Sequence, residues 1–98
     1  MATIRPDISK LEKLRVASGM SIKDLATSLL GVTRATYYTW LEKNTFRNSK
    51  NKRIMLAMKV LALSLRDGTL PVRHLYGKEK RQATMKAIRA TLHKMKHS

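Results

Sequence analysis

Two helix boundaries separated by a single residue constrain this chain more than any other feature. Gly31 closes an apolar-periodic run that begins near Ser21, and Thr33 opens another. Glycine supplies the left-handed residue that ends a helix, and threonine caps a helix by accepting from a first-turn amide. Val32 alone lies between them. Helices joined so tightly must cross at a large angle, which leaves the second presented on a short turn.

The rest of the sequence is helical in pattern, with scarce strand-like alternation and an Ala, Leu, Met and Lys content that suits helices. The expectation is an all-α fold of five helices. The first runs from about Asp7 to Ser18, opened by Pro6 and Asp7, with Ser9 and Glu12 as an alternative capping box. Ile8, Leu11 and Leu14 give it one apolar face, and Gly19 ends it. Ser21 caps the second, with Asp24 as acidic partner three residues on and Ile22, Leu25, Ala26, Leu29 and Leu30 facing inward. The third runs from Thr33 to Lys43 or Asn44, followed by a polar basic loop over 45–52. The fourth, about Lys52 to Arg66, is apolar nearly all round, as a core element or a subunit contact is. A connector containing Pro71 spans 69–77. The last helix, about Lys78 to Met95, carries a stripe of Met85, Ile88, Leu92 and Met95 on a basic rod. That stripe can pack on the domain, pair with a partner or lie along DNA. The organisation read from this pattern is a DNA-binding unit over 1–68, the connector 69–77, and a basic amphipathic helix over 78–98.

Charge narrows the choice of partner. Lys and Arg number 21 against 6 Asp and Glu in 98 residues, a net of +15. Such a chain repels itself unless a polyanion is near, so nucleic acid is the expected partner, with an anionic membrane surface as the rival. The excess is concentrated: 47–59 carries +5 and 78–98 carries +6, beside a nearly balanced 1–46. A folded reader flanked by basic clamps has this distribution. There is no cysteine, hence no disulfide framework and no thiolate metal site. No run has signal-peptide or membrane-spanning character, so a cytoplasmic location in a bacterial or phage-infected cell, associated with the nucleoid, is expected.

The segment from Ser21 to Glu42 resembles the helix-turn-helix of the phage lambda repressor and Cro family, most closely over Gly31-Val32-Thr33-Arg34-Ala35-Thr36-Tyr37-Tyr38-Thr39-Trp40. The shared pattern is a turn glycine, an apolar residue, a Ser or Thr cap, and a helix with apolar positions near Tyr37 and Trp40. The resemblance covers about residues 10–65. It implies a DNA-reading third helix, a homodimer on a two-fold operator, and transcriptional repression. One departure stands out: the family's small residue lies four positions before the turn glycine, whereas Ala26 lies five before Gly31. The extra residue must either rotate Ala26 or lengthen the turn.

The same assignment follows from physical chemistry. An α-helix fits the major groove of B-DNA, and its N-terminus favours phosphate. Helical spacing puts Tyr37 and Trp40 on one face, with Leu41 beside them, and leaves Arg34, Ala35, Tyr38 and Thr39 pointing outward. Arg34 is the first candidate for base readout, through a bidentate contact to guanine. Ala35 or Thr39 suits a thymine methyl, and Tyr38 a phosphate or the groove wall. Lys23, Thr33 and Thr36, with Arg47, Lys50, Lys52 and Arg53 of the basic loop, are candidates for backbone contacts that position without reading sequence. Lys78, Lys80, Arg81, Lys86 and Arg89 are candidates for a second DNA contact. Each basic side chain has a plainer reading as a solvated lysine or arginine, and Trp40 and Tyr37 as core residues.

Nothing in the sequence calls for a cofactor, a metal ion or a small-molecule ligand. His93 and His97 have metal-holding spacing without a third ligand nearby, and no carboxylate pair, nucleophile–base pair or phosphate-cradling glycine loop is present, so an enzyme is not expected. Rival readings are an architectural or DNA-maintenance protein that leans on the basic C-terminal segment, an antitoxin or host-factor inhibitor, and an RNA binder. The last ranks low because no exposed aromatic platform is clustered.

Overall fold

Three helices start where a capping side chain dictates. In the computed structural model, which describes residues 6–96, the Asp7 carboxylate accepts from the Ser9 amide at 2.9 Å and heads α1 (Ile8–Ser18). The Ser21 hydroxyl accepts from the Asp24 amide at 3.1 Å and heads α2 (Ile22–Asp24). Thr33 does the same for the Thr36 amide, also at 3.1 Å, and heads α3 (Arg34–Lys43). A single 3-10 turn, Asn48–Lys50, leads into α4 (Asn51–Arg66), and α5 spans Gly77–Lys96. The fold is all-α, with five helices and no strand among the described residues.

Two capping details differ from expectation. The Ser9–Glu12 box is not used, because Glu12 is engaged by Arg15 and by Tyr37. The Asp24 carboxylate likewise does not return to the head of α2 but pairs with Arg81 of α5. In both cases a charged donor competes successfully with a neutral amide, as charge-assisted hydrogen bonds do.

The extra residue between Ala26 and Gly31 is absorbed inside the helix. After Asp24, α2 continues without a break as a wide π-helical segment, Leu25–Leu30. Its end is closed by Gly31 at φ 68°, and the Gly31 and Val32 amides both donate to the Ala26 carbonyl, five and six residues back. Widening by one residue is how helices accommodate such an insertion. The inward face survives: Leu25, Ala26 and Leu30 are buried, while Thr27 and Ser28 are exposed. The turn therefore stays short, and Ala26 is buried.

At the centre lies α4, whose Ile54, Ala57, Val60 and Leu61 are fully or almost fully buried. α1 packs along it, as do the π-helical segment and α5. Of the uses open to the stripe on α5, the fold takes packing: Ile88 is fully buried, and Met85, Leu92 and Met95 lie against the same core. Ser64 of α4 and Thr91 of α5 share a buried hydroxyl–hydroxyl hydrogen bond of 2.9 Å. Below them the connector returns to the end of α4, the Leu70 amide and the Thr69 hydroxyl both donating to the Ser64 carbonyl at 3.1 Å. Burial of a side chain such as Ile88 is worth roughly 1.5–3 kcal/mol, so α5 belongs to the folded body. The radius of gyration, 13.4 Å, is that of one domain of this length.

The π-helical segment makes a direct prediction. Deleting exposed Ser28 should convert it to an ordinary α-helical turn, with Ala26 four residues before the turn glycine. Circular dichroism should show a cooperative fold with helix content retained; loss of the folded state would mean that the wide turn is itself required for packing.

Candidate nucleic-acid interface

The rotation of α3 about its axis follows from what its aromatic residues bury. Tyr37 is fully buried and Trp40 nearly so. The Tyr37 hydroxyl donates to Glu12 Oε1 at 3.1 Å, which ties α3 to α1. Glu12 is held in turn by Arg15, whose Nε and Nη2 donate to its two oxygens at 2.6 and 2.9 Å. Arg15 Nη1 donates to the Met20 carbonyl at 2.7 Å, fixing the bend between α1 and α2. The Arg15 guanidinium holds the Glu12 carboxyl below its ordinary pKa, and Glu12 holds Arg15 above its own. Burial, with the Glu12 charge beside it, pushes the Tyr37 hydroxyl well up.

With that face turned inward, Arg34, Ala35, Tyr38 and Thr39 are all exposed, Tyr38 by 54%. No acidic side chain pairs with Arg34 among the described residues, where the ion pairs are Glu12–Arg15 and Asp24–Arg81. The Thr39 hydroxyl donates back to the Ala35 carbonyl at 3.0 Å, which spends its proton. At the head of the helix the Thr33 and Thr36 hydroxyls lie 3.0 Å apart, and Thr33 also accepts the Thr36 amide. Whichever hydroxyl donates within the pair, the other keeps its proton for an outside acceptor. A helix N-terminus with a spare donor and a free guanidinium beside it is suited to an anion.

The chain beyond α3 is brought back to the same helix. Asn44 ends α3 in the left-handed conformation, its amide donating to the Trp40 carbonyl at 2.7 Å. Phe46 then packs its ring on Trp40 with centroids 5.8 Å apart. This tether keeps the following segment close, with Arg47 and Lys52 exposed and Lys50 half-buried. Arg53, in the first turn of α4, reaches the turn before α3: a Cβ on Gly31 would lie 2.5 Å from its Nη1. Gly31 is required by its positive φ, and a side chain there would also push the end of the Arg53 side chain aside.

Lys23 is exposed on α2, and the N-terminal cations of α5 gather beside that helix. Lys78, Arg81 and Arg89 line a groove with Asp24 and Ser28 of the α2 strand of chain, while Lys80 lies against Gly19. Arg81 differs from its neighbours. Its Nε lies 2.8–2.9 Å from both Asp24 oxygens and its Nη2 2.8 Å from one, so its charge is matched and the pair straps α5 to α2. Lys86 is exposed and is not among the side chains lining the groove. The strap was not read from the sequence; its only signal was an acid placed next to the inward face of α2 in a chain nearly without acids. Among the described residues no cluster of acid, histidine or cysteine side chains has the makings of a metal site, and His97 lies outside those residues. No described helix is long and apolar enough to cross a membrane. Comparison with family models, with curated proteins and with solved structures finds no match to this chain.

The Glu12–Arg15–Tyr37 network sets a pH window. Glu12 has a depressed pKa in the fold, so its contribution is present above the ordinary glutamate value of about 4.3 and fades as pH falls through the lower folded value. Tyr37 has a raised pKa, so its contribution holds below about 10 and is lost as pH rises and the unfolded tyrosine ionises. The melting temperature should be flat between these limits and fall on both sides. Tyr37→Phe should cost about 1 kcal/mol at neutral pH and flatten the alkaline fall; an unchanged alkaline limb would remove Tyr37 from this role.

Proposed function

We propose that this protein binds double-stranded DNA sequence-specifically, with α3 in the major groove, and represses transcription by occupying its site. The observation that carries the reading is the division of α3. Tyr37 and Trp40 are locked inward, while Arg34, Ala35, Tyr38 and Thr39 face solvent on a helix reached by a single-residue link. A net charge of +15 supplies the attraction to a polyanion.

In this reading Arg34 makes the bidentate contact to guanine, and the Thr39 methyl, its hydroxyl turned to the backbone, meets a thymine methyl. Ala35 lets the helix approach closely, and Tyr38 contacts a phosphate or the groove wall. Thr33 and Thr36 offer one hydroxyl proton to a phosphate. Lys23, Arg47, Lys50, Lys52 and Arg53 set register on the backbone without reading sequence. Lys78, Lys80 and Arg89 extend that contact along α2, with Arg81 holding α5 in place. The likeness to lambda-repressor-type helix-turn-helix proteins agrees with these roles and adds repression as the usual employment of such a reader.

The test is a selection from random duplexes, followed by titration of the winning and scrambled sequences at several salt concentrations. The winner should bind about a thousandfold or more tighter than the scramble, and a palindromic winner marks two copies acting together. Arg34→Ala should cost about 1–3 kcal/mol on the winner and relax preference at one position. Replacing both Lys78 and Arg89 by alanine should lower the salt slope by about two without changing the preferred sequence. Tight, steeply salt-dependent binding with no preferred sequence would replace this function by an architectural one.

A further inference from the structure

We propose that the open groove between α1 and α4 is a docking site for an acidic amphipathic helix of a partner protein. This inference concerns a face that shares only Lys52 with the surface assigned to DNA, and it does not rest on DNA binding. α4 has two apolar sides, and the core uses one of them. On the other, Met55 is 49% and Leu56 43% exposed, and with Leu14, Met58 and Ala62 they floor a groove of about 730 Å³. The floor continues along α1 over Ala17. Contiguous exposed apolar surface of this kind marks an interaction site, and methionine provides a floor that adapts to its occupant.

The rim selects the occupant. Lys10 and Lys13 of α1 stand on one side, Lys52 and Lys59 of α4 on the other, and no acidic side chain lines either part of the groove. Glu12, the acid of α1, is turned away to Arg15 and Tyr37. A second copy related by a two-fold axis would bring the same four lysines against these four, because an isologous contact pairs a patch with itself. Like charges so placed oppose association. A helix with apolar residues at i, i+3, i+4 and i+7, flanked by glutamates or aspartates, matches both the floor and the rim. Lys52, Met55, Leu56 and Lys59 repeat that same spacing along α4, so a partner helix laid alongside meets charge and apolar surface in register.

The experiment uses the full chain and a labelled 18-residue helical peptide, leucines on one face and glutamates beside them, with a scrambled peptide of identical composition. At about 0.15 M salt the amphipathic peptide should bind at least tenfold tighter than the scramble by fluorescence anisotropy. Leu56→Glu, at an exposed position, should remove that advantage; Leu56→Ser, which adds no charge, should reduce it; and Arg73→Ala, a cation off the groove, should leave it intact. Equal binding of the two peptides would overturn the proposal, attributing the attraction to net charge alone. A free chain that sediments as a dimer and becomes monomeric on Leu56→Glu would also overturn it, by making a second copy the occupant.

Discussion

The burial of Tyr37 is the constraint on which the rest of the arrangement depends. A large aromatic side chain, fully enclosed and hydrogen-bonded to Glu12, leaves α3 no freedom to roll about its axis. Rolling it would expose the ring and leave a buried hydroxyl unpaired, both unfavourable. Everything the outward face offers follows from that one orientation. Trp40 extends the lock by a turn, and Phe46 on Trp40 passes it to the basic segment that follows. The start of that segment is thus tied to α3 by aromatic packing rather than by an ion pair.

Acids are scarce, and three of the six have a structural task. Of six acidic residues, Asp7 caps α1, Glu12 joins α1 to α3, and Asp24 straps α5 to α2. These uses pair Arg15 and Arg81, and among the described residues no acid pairs with any other lysine or arginine. The charge excess is therefore carried on a body braced by a few charged contacts within and between its helices, Glu12 to Arg15 and Tyr37 and Asp24 to Arg81.

Much of this was legible in the sequence, for local reasons. Ser, Thr and Asp caps and left-handed glycines are short-range signals, and they place Asp7, Ser21, Thr33, Gly19 and Gly31 correctly. Three-four spacing likewise identifies Tyr37 and Trp40 as inward-facing. The misses are all tertiary. That Asp24 would leave its own helix for Arg81, 57 residues away, depends on where α5 docks, and no periodicity encodes it. That the spare residue after Ala26 would widen the helix rather than lengthen the turn shows only in the fold, where the Gly31 and Val32 amides both close on the Ala26 carbonyl. The stripe on α5 was visible, but its choice of partner was a property of α4.

The most direct test of the account is a map of which backbone amides respond when the full chain is titrated with its best-binding duplex by two-dimensional NMR. The division of α3 predicts the largest shifts over residues 33–39 and 45–53, smaller ones around Lys78, and none at Met55, Leu56 and Ala62. A map in which α3 is silent and the response is confined to α5 would contradict the account, because the helix whose orientation the core fixes would then have no part in binding.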